Sequence, residues 1–310
     1  MRKGKLNIGH LSTAYHTNFV LMASRDLEIN LSHEINWIFF GTGPLMVDAF
    51  RQGKLDIGYM GLPPAIIGID KNVPIKCVAG GHVEGTIMVA KKNYMNLFDL
   101  NNDLKKVLTQ FKGKSIGVPS KGSIHDVILN HYLKKYNLVD DIHVKHYKQA
   151  EFISLDMEKG ILEGGVGTPA LAVFTSTLID SHIILPPDIL WENNPSYGIF
   201  CHKNLMDNEP QIINDFLTNH KEASYLIRNS PSQAAEMIAK TFKIIKKNYA
   251  KTILEISPKY CIALSEGYVK ATMQFVNTLH DLGYINKNLT VEDIFSFKFI
   301  KKIHLEAEHY

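Results

Sequence analysis

The chain has no run of 18 or more apolar residues, so nothing in it reads as a membrane-spanning helix. It has little arginine: Arg2, Arg25, Arg51 and Arg228 stand alone in a basic set that is otherwise lysine. Arginine is the usual bidentate partner of sulfonate, phosphate and carboxylate groups, so its scarcity limits how an anion could be held. Charge of one sign is also lacking, because 34 basic residues face 31 acidic ones for a formal net charge of +3. That balance gives no field suited to nucleic acid. The three cysteines, Cys77, Cys201 and Cys261, show neither a CxxC nor a zinc-finger spacing and lie in apolar surroundings, which predicts buried, inert thiols.

What is present is a globular composition, 45% hydrophobic and 21% charged, in 310 residues, enough for two domains of ordinary size. Histidine is abundant, with fourteen residues. The first residues, Met1-Arg-Lys-Gly-Lys, run straight into strand-like Leu6-Asn-Ile-Gly. The expectation is therefore a cytoplasmic protein, or one whose export or lipoprotein signal lies upstream.

Along the chain, strands alternate with helices. A strand at 6–11 leads through the polar loop His10-Leu-Ser-Thr-Ala-Tyr-His16 to a helix at 15–27. A buried strand at 35–40 precedes Gly41-Thr-Gly43 and a helix at 44–52, bounded by Pro44 and Gly53. A strand opens at Leu55-Asp-Ile-Gly58, and Pro63-Pro64 starts the next helix. Asp56 reads as an orienter of neighbouring backbone. Strands at 74–80 and 86–90 then follow one another directly, which predicts that the chain passes to a second α/β unit. That unit takes in Lys114-Ser-Ile-Gly-Val-Pro119, Ser120-Lys-Gly-Ser123, a helix at 124–136 and a glycine-marked strand at 164–168. After a strand at 196–202 the periodicity is helical, at 209–228, 231–246, 264–282 and 299–308. Lysine-rich 240–251 reads as a solvated face, and His304 and His309 as surface residues.

Open parallel sheets bind ligands at strand carboxyl ends, beside helix N-termini whose free N–H groups favour negative charge. Loops 10–16, 41–43, 61–64 and 120–123 meet that description, and 165–169 is a further edge. Loop sets on two units imply a cleft between them, closed by a hinge.

The order G-T-G-P-x-x-x-x-A-F-x-x-G-K-L-D-I-G-x-x-G-x-P-P-A, then P-I-K-C-V-A-G-G, T-I-M-V-A-K-K and K-G-K-S-I-G-V-P-S-K-G-S, resembles the solute-binding proteins of ABC importers for nitrate, sulfonates, taurine and thiamine precursors. The resemblance covers roughly residues 5–200. It implies an α/β, two-lobed type II periplasmic-binding-protein fold, each lobe a mainly parallel sheet flanked by helices, with a helical tail on lobe 1. Residues 1–88 and 196–310 would form lobe 1, 89–195 lobe 2, and crossovers near 83–91 and 191–197 the hinge.

By the same resemblance, ligand contacts fall at His10, Ser12, Thr13, His16, Gly41, Thr42, Gly61, Leu62, His82, Ser120 and Ser123. Gly164-Gly165-Val166-Gly167 departs from the family's aspartate-alanine pair before proline. Implied partners are a small-molecule ligand and the permease and ATPase subunits of an importer. The protein would act as an extracytoplasmic monomer, peripheral to the membrane through a lipid anchor, with no nucleic acid and no required cofactor. His10, His16, His82 and His125 also form an expected set for zinc or another divalent transition metal, because neutral imidazoles suit such ions. An enzyme of cofactor biosynthesis on the same fold, such as a thiamine-precursor or menaquinone-pathway enzyme, is the alternative. The cysteine-rich iron motif of the fungal pyrimidine synthase is absent, and no nucleophile spacing stands out. A regulator's effector domain lacks its helix-turn-helix segment here.

Overall fold

Short apolar strands that end at a proline or capping residue make this chain alternate between sheet and helix, and a computed structural model shows the result for residues 4–31 and 33–310. The strands are β1 (Lys5–His10), β2 (Glu34–Phe39), β3 (Ile57–Met60), β4 (Ile75–Val83), β5 (Ile87–Lys91), β6 (Ser115–Pro119), β7 (His143–Tyr147), β8 (Gly164–Gly167), β9 (Ser181–Leu185) and β10 (Pro195–His202). They form two five-stranded mixed sheets, ordered β2-β1-β3-β10-β4 and β7-β6-β8-β5-β9.

The two orders are one topology used twice. In each sheet three parallel strands run in the order second-first-third, and the fourth place is filled by an antiparallel strand, β10 or β5. Both inserted strands directly follow a passage between the sheets. Such an order reverses direction beside the first strand, and ligands bind at the carboxyl ends there.

The passages are residues 84–86 and 186–194, and they lie side by side. Glu84 N donates to Asn194 O at 2.6 Å, and Asn194 Nδ2 donates to Thr86 Oγ1 at 2.9 Å. Trp191, in the second passage, stacks on Phe275 with centroids 4.2 Å apart and ring planes 9° apart.

The helical tail packs largely against the first sheet. In helix Pro210–Asn229, Phe216 meets Tyr59 edge-on at 6.1 Å, and His220 Nε2 lies 2.9 Å from Gly80 O. Tyr268, from helix Glu266–Asp281, donates to Tyr197 O at 3.1 Å. The tail also reaches the second unit: Tyr284 OH donates to Asp126 Oδ2 at 2.7 Å, Tyr249 OH to Ala170 O at 3.5 Å, and Lys134 Nζ donates to Asp281 O at 2.8 Å.

Several elements depart from expectation. The helix predicted over 15–27 is two short helices, Asn18–Ser24 and Asp26–Asn30, broken where Arg25 takes φ +61°. Lysine-rich 240–251 is solvated as expected, with Lys240, Lys243, Lys246 and Lys247 exposed, but it is not one helix: it spans the end of helix Pro231–Thr241, a break and the start of helix Lys247–Ile256. The last helix stops at Ile303, short of the predicted 308. Asp56 does orient backbone: its Oδ2 accepts from Asn7 N at 2.7 Å. No helix among the described residues is long and apolar enough to cross a membrane.

Candidate functional site

Four helices begin at one cavity between the two sheets. Their N-cap residues are Thr42 (helix Gly43–Arg51), Gly61 (Leu62–Asp70), Ser123 (Ile124–Lys135) and Thr168 (Pro169–Leu178), and all four line it. The sequence fixes these starts locally. Proline stands in the first turn of three of the helices, where its missing N–H costs nothing, and Ser123 Oγ accepts from Asp126 N at 3.3 Å in the fourth. Thr42 and Thr168 make no side-chain cap, so their hydroxyls are not committed to their own helices.

The cavity has room of about 70 Å³ for water-sized atoms. A single water needs roughly 10–15 Å³ by that measure, so the space suits a compact ligand. Ser12, Thr13, Tyr15, His16, His125 and Ser196 complete its polar lining, which contains no lysine, arginine, aspartate or glutamate. Thr13 Oγ1 and His16 Nδ1 are buried without a hydrogen-bond partner. Buried polar atoms are normally paired, so these two are the lining groups with an unmet demand for a ligand.

Packing holds the walls. His16 is 2% exposed and lies against Tyr197 and Tyr15, with centroids 4.0 and 4.7 Å away. Beneath it, Thr17 Oγ1 lies 2.7 Å from His220 Nδ1. Gly41 is required by the fold, because a Cβ there would sit 2.7 Å from Lys148 O of the opposite unit. The two units can approach this closely only with glycine at that position.

Burial keeps the imidazoles neutral. It lowers His16 well below the ordinary histidine value, helped by the nearby rings of His82, His10 and His220. Burial alone takes His125 to about 3, and it takes His82 and His220 to about 4 against the raising effect of their backbone hydrogen bonds. A ligand here meets helix N-termini, hydroxyls and uncharged rings, with no formal positive charge.

Of the residues expected to touch ligand, Ser12, Thr13, His16, Gly41, Thr42, Gly61 and Ser123 line the cavity together. His10, Leu62, His82 and Ser120 do not. His10 packs among Phe19, Trp37 and Phe39, with Nδ1 3.1 Å from Leu11 O. Leu62 is fully buried in the main apolar core. Ser120 Oγ is buried and unpartnered outside the lining.

His82 is a structural residue: Nδ1 is 3.0 Å from Ser196 Oγ and Nε2 is 2.6 Å from Ser257 O, which occupies both nitrogens. The expected convergence of His10, His16, His82 and His125 on one ion is therefore corrected. Of that set, His16 and His125 alone share the cavity. Among the described residues, one group of three or more His, Cys, Asp or Glu side chains has ligand atoms close enough for a metal, and it is Cys261, His304 and His309.

Sequence reasoning placed Tyr15 and Thr168 in candidate loops without naming them as contacts, and missed Ser196. Thr168 before Pro169 carries the same helix-start signal as Thr42 before Gly43-Pro44. Ser196 had no local signal, since its role comes from the passage that brings β10 beside β4.

Residues 2–243 match the model of the NMT1-like family. A protein described as a binding protein of Brucella abortus (strain 2308) is 23% identical over 247 residues, spanning 78% of this chain and 73% of its own. The alkanesulfonate-binding protein SsuA of Xanthomonas axonopodis pv. citri, solved bound to MOPS, superposes with a TM-score of 0.78 at 16% identity, over 95% of this chain and 99% of its own. The ligand-binding component of an ABC-type import system from Staphylococcus aureus, solved with zinc bound, gives 0.79 at 15% identity, over 98% and 100%. The periplasmic nitrate-binding protein NrtA of Synechocystis PCC 6803 gives 0.77 at 10% identity, over 97% and 88%. The chain belongs to the NMT1-like family and has the two-lobed fold of the periplasmic solute-binding proteins.

Proposed function

We propose that this chain is the solute-binding component of an ABC import system and that its ligand is a compact anion. The observation that carries the ligand class is the meeting of four helix N-termini at one cavity, each presenting the positive end of a helix dipole, with backbone N–H groups free where the first turn is neither proline nor capped. Thr13 Oγ1 and His16 Nδ1 supply the side-chain hydrogen bonds, and Thr42 and Thr168 add hydroxyls. Such a site needs no arginine, in keeping with a lining that has none. Solved proteins with this fold bind an alkanesulfonate-type buffer and nitrate, which supports the reading.

Capture works by hinge closure between lobe 1 (1–88 and 196–310) and lobe 2 (89–195), about the paired passages at 84–86 and 186–194. A monomer acting outside the cytoplasm, held at the membrane by a lipid anchor, hands the closed complex to the permease and its ATPase. It releases the solute unchanged.

A metal or metal chelate is the second reading, favoured by the two neutral imidazoles of His16 and His125 in the same cavity. Calorimetric titration of the purified protein with nitrate, taurine, methanesulfonate and zinc, repeated in His16→Ala, tests both. Saturable binding of one anion, weakened in the variant, is the expected result. Binding of zinc that is weakened in His16→Ala, with no anion bound, overturns the anion reading, and no binding sensitive to His16→Ala by any of the four overturns both.

A further inference from the structure

We propose that Cys261, His304 and His309 form a binding site for a divalent transition metal of the zinc class, apart from the solute cavity. Cys261 Sγ lies 3.3 Å from His304 Nε2 and 3.3 Å from His309 Nδ1, and the three ligand atoms all fall within 4.8 Å of one another. Tetrahedral zinc with ordinary Zn–S and Zn–N bonds holds sulfur and nitrogen about 3.6 Å apart. Both sulfur–nitrogen distances thus stand within a few tenths of an ångström of the spacing a bound ion imposes.

One sulfur and two nitrogens suit zinc, cobalt or nickel and are poor ligands for calcium or magnesium.

The surroundings fit a site with three protein ligands and an open fourth place. Cys261 is 1% exposed, the His304 side chain is 4% exposed, and His309 is exposed, so the group opens to solvent on one side. His304 is thereby not the surface residue its position suggests. Glu306 Oε1, 3.8 Å from His304 Nε2, is a carboxylate within reach of the fourth place. It is shared with Lys221 at 2.8 Å, which offsets that lysine's charge beside the site. Arg228 lines the same pocket and donates to Tyr260 O at 3.2 Å. Burial, the larger influence, raises the Cys261 thiol and lowers both histidines, and the Arg228 charge acts to lower all three, favouring the deprotonated forms that bind metal.

Such an ion would clasp the tail to the first sheet. The segment carrying Cys261 is bonded to β4, with Gly80 N donating to Ile262 O at 2.9 Å and Val83 N to Lys259 O at 3.1 Å, and β4 leads directly into the first passage.

Cobalt(II) titration of the full-length purified protein tests the proposal. The expected result is one equivalent bound, with the ligand-field absorption of tetrahedral cobalt and a thiolate-to-cobalt charge-transfer band. The band should be lost in Cys261→Ser, and cobalt affinity should fall more than tenfold in His304→Ala and His309→Ala, since even outer-shell partners are worth about 10–100-fold. The double variant His16→Ala/His125→Ala should keep the band, which separates this site from a metal in the solute cavity.

His309 is exposed, so its variant is the one least able to disturb folding. Zinc should raise the melting temperature of the wild type and not that of His309→Ala. Absence of the charge-transfer band in the wild type, its persistence in Cys261→Ser, or an equal zinc-induced shift in His309→Ala would each overturn the site.

Discussion

On the cavity wall built from the first sheet, Thr13 Oγ1 and His16 Nδ1 have no partner, whereas on the facing wall Ser123 Oγ caps its own helix and His125 Nδ1 lies 3.3 Å from Thr86 Oγ1. Supports differ in the same way. The first wall rests on buried neutral histidines and tyrosines, and the second on a buried carboxylate. Asp126, fully buried, accepts from Gly122 N at 2.8 Å, Asn130 Nδ2 at 2.7 Å and Tyr284 OH at 2.7 Å, and lies 2.7 Å from His146 Nε2. The first wall keeps two buried groups without partners, whereas Ser123 and His125 on the other are engaged. Under the proposed hinge closure, this is the division expected when ligand settles on lobe 1 and lobe 2 closes over it.

The largest effect should come from breaking the support of the first wall with acid. His82 and His220 titrate near 4 when folded against about 6.5 when unfolded. Their folded values are lowered, so between those limits the unfolded chain takes up protons that the folded chain refuses. Stability should be flat above about pH 7 and fall by several kcal/mol in sum as pH drops from about 6.5 to about 4. Urea denaturation across that range measures the slope, and His82→Gln should flatten it. A profile without slope in the wild type would show that these rings are not held neutral.

Breaking the support of the second wall should cost slightly less. Asp126→Ala leaves Gly122 N–H and Tyr284 O–H without their acceptor, and losing one partner of such a buried network costs about 3–5 kcal/mol. The same denaturation experiment reads it, and a loss under about 1 kcal/mol would mean that the network is replaceable by water.

The smallest effects sharpen the contrast most. Thr13→Val removes a hydroxyl that the free protein does not use, so stability should hold while ligand affinity falls roughly tenfold, or about 1–2 kcal/mol. Ser123→Ala removes a cap and should cost about 1 kcal/mol of stability. If Thr13→Val destabilises the free protein instead, the comparison of the walls fails.

Much of this was readable from residue order, for local reasons. Pro44, Pro63-Pro64, Ser123 and Pro169 announce helix starts because a missing N–H or a capping hydroxyl acts within one turn, and those starts place most of the cavity. What was hidden depends on distant partners. His82 looked like a ligand through the family resemblance and its place beside the hinge approach, yet the groups that engage it, Ser196 and Ser257, lie 114 and 175 residues away. Cys261, His304 and His309 are 43 and 48 residues apart in pairs, a spacing no short motif encodes. The break at Arg25 was equally hidden, because nothing in the local composition calls for φ > 0 at an arginine.

The stack of Trp191 on Phe275 has a practical consequence. The chain has two tryptophans, and this one lies face to face with a ring from the tail while sitting in a passage between the sheets. Its indole emission depends on that neighbour and on the water around it. If the lobes move about the passages as proposed, that movement would register in intrinsic fluorescence, and the protein would carry its own optical gauge of closure without a label.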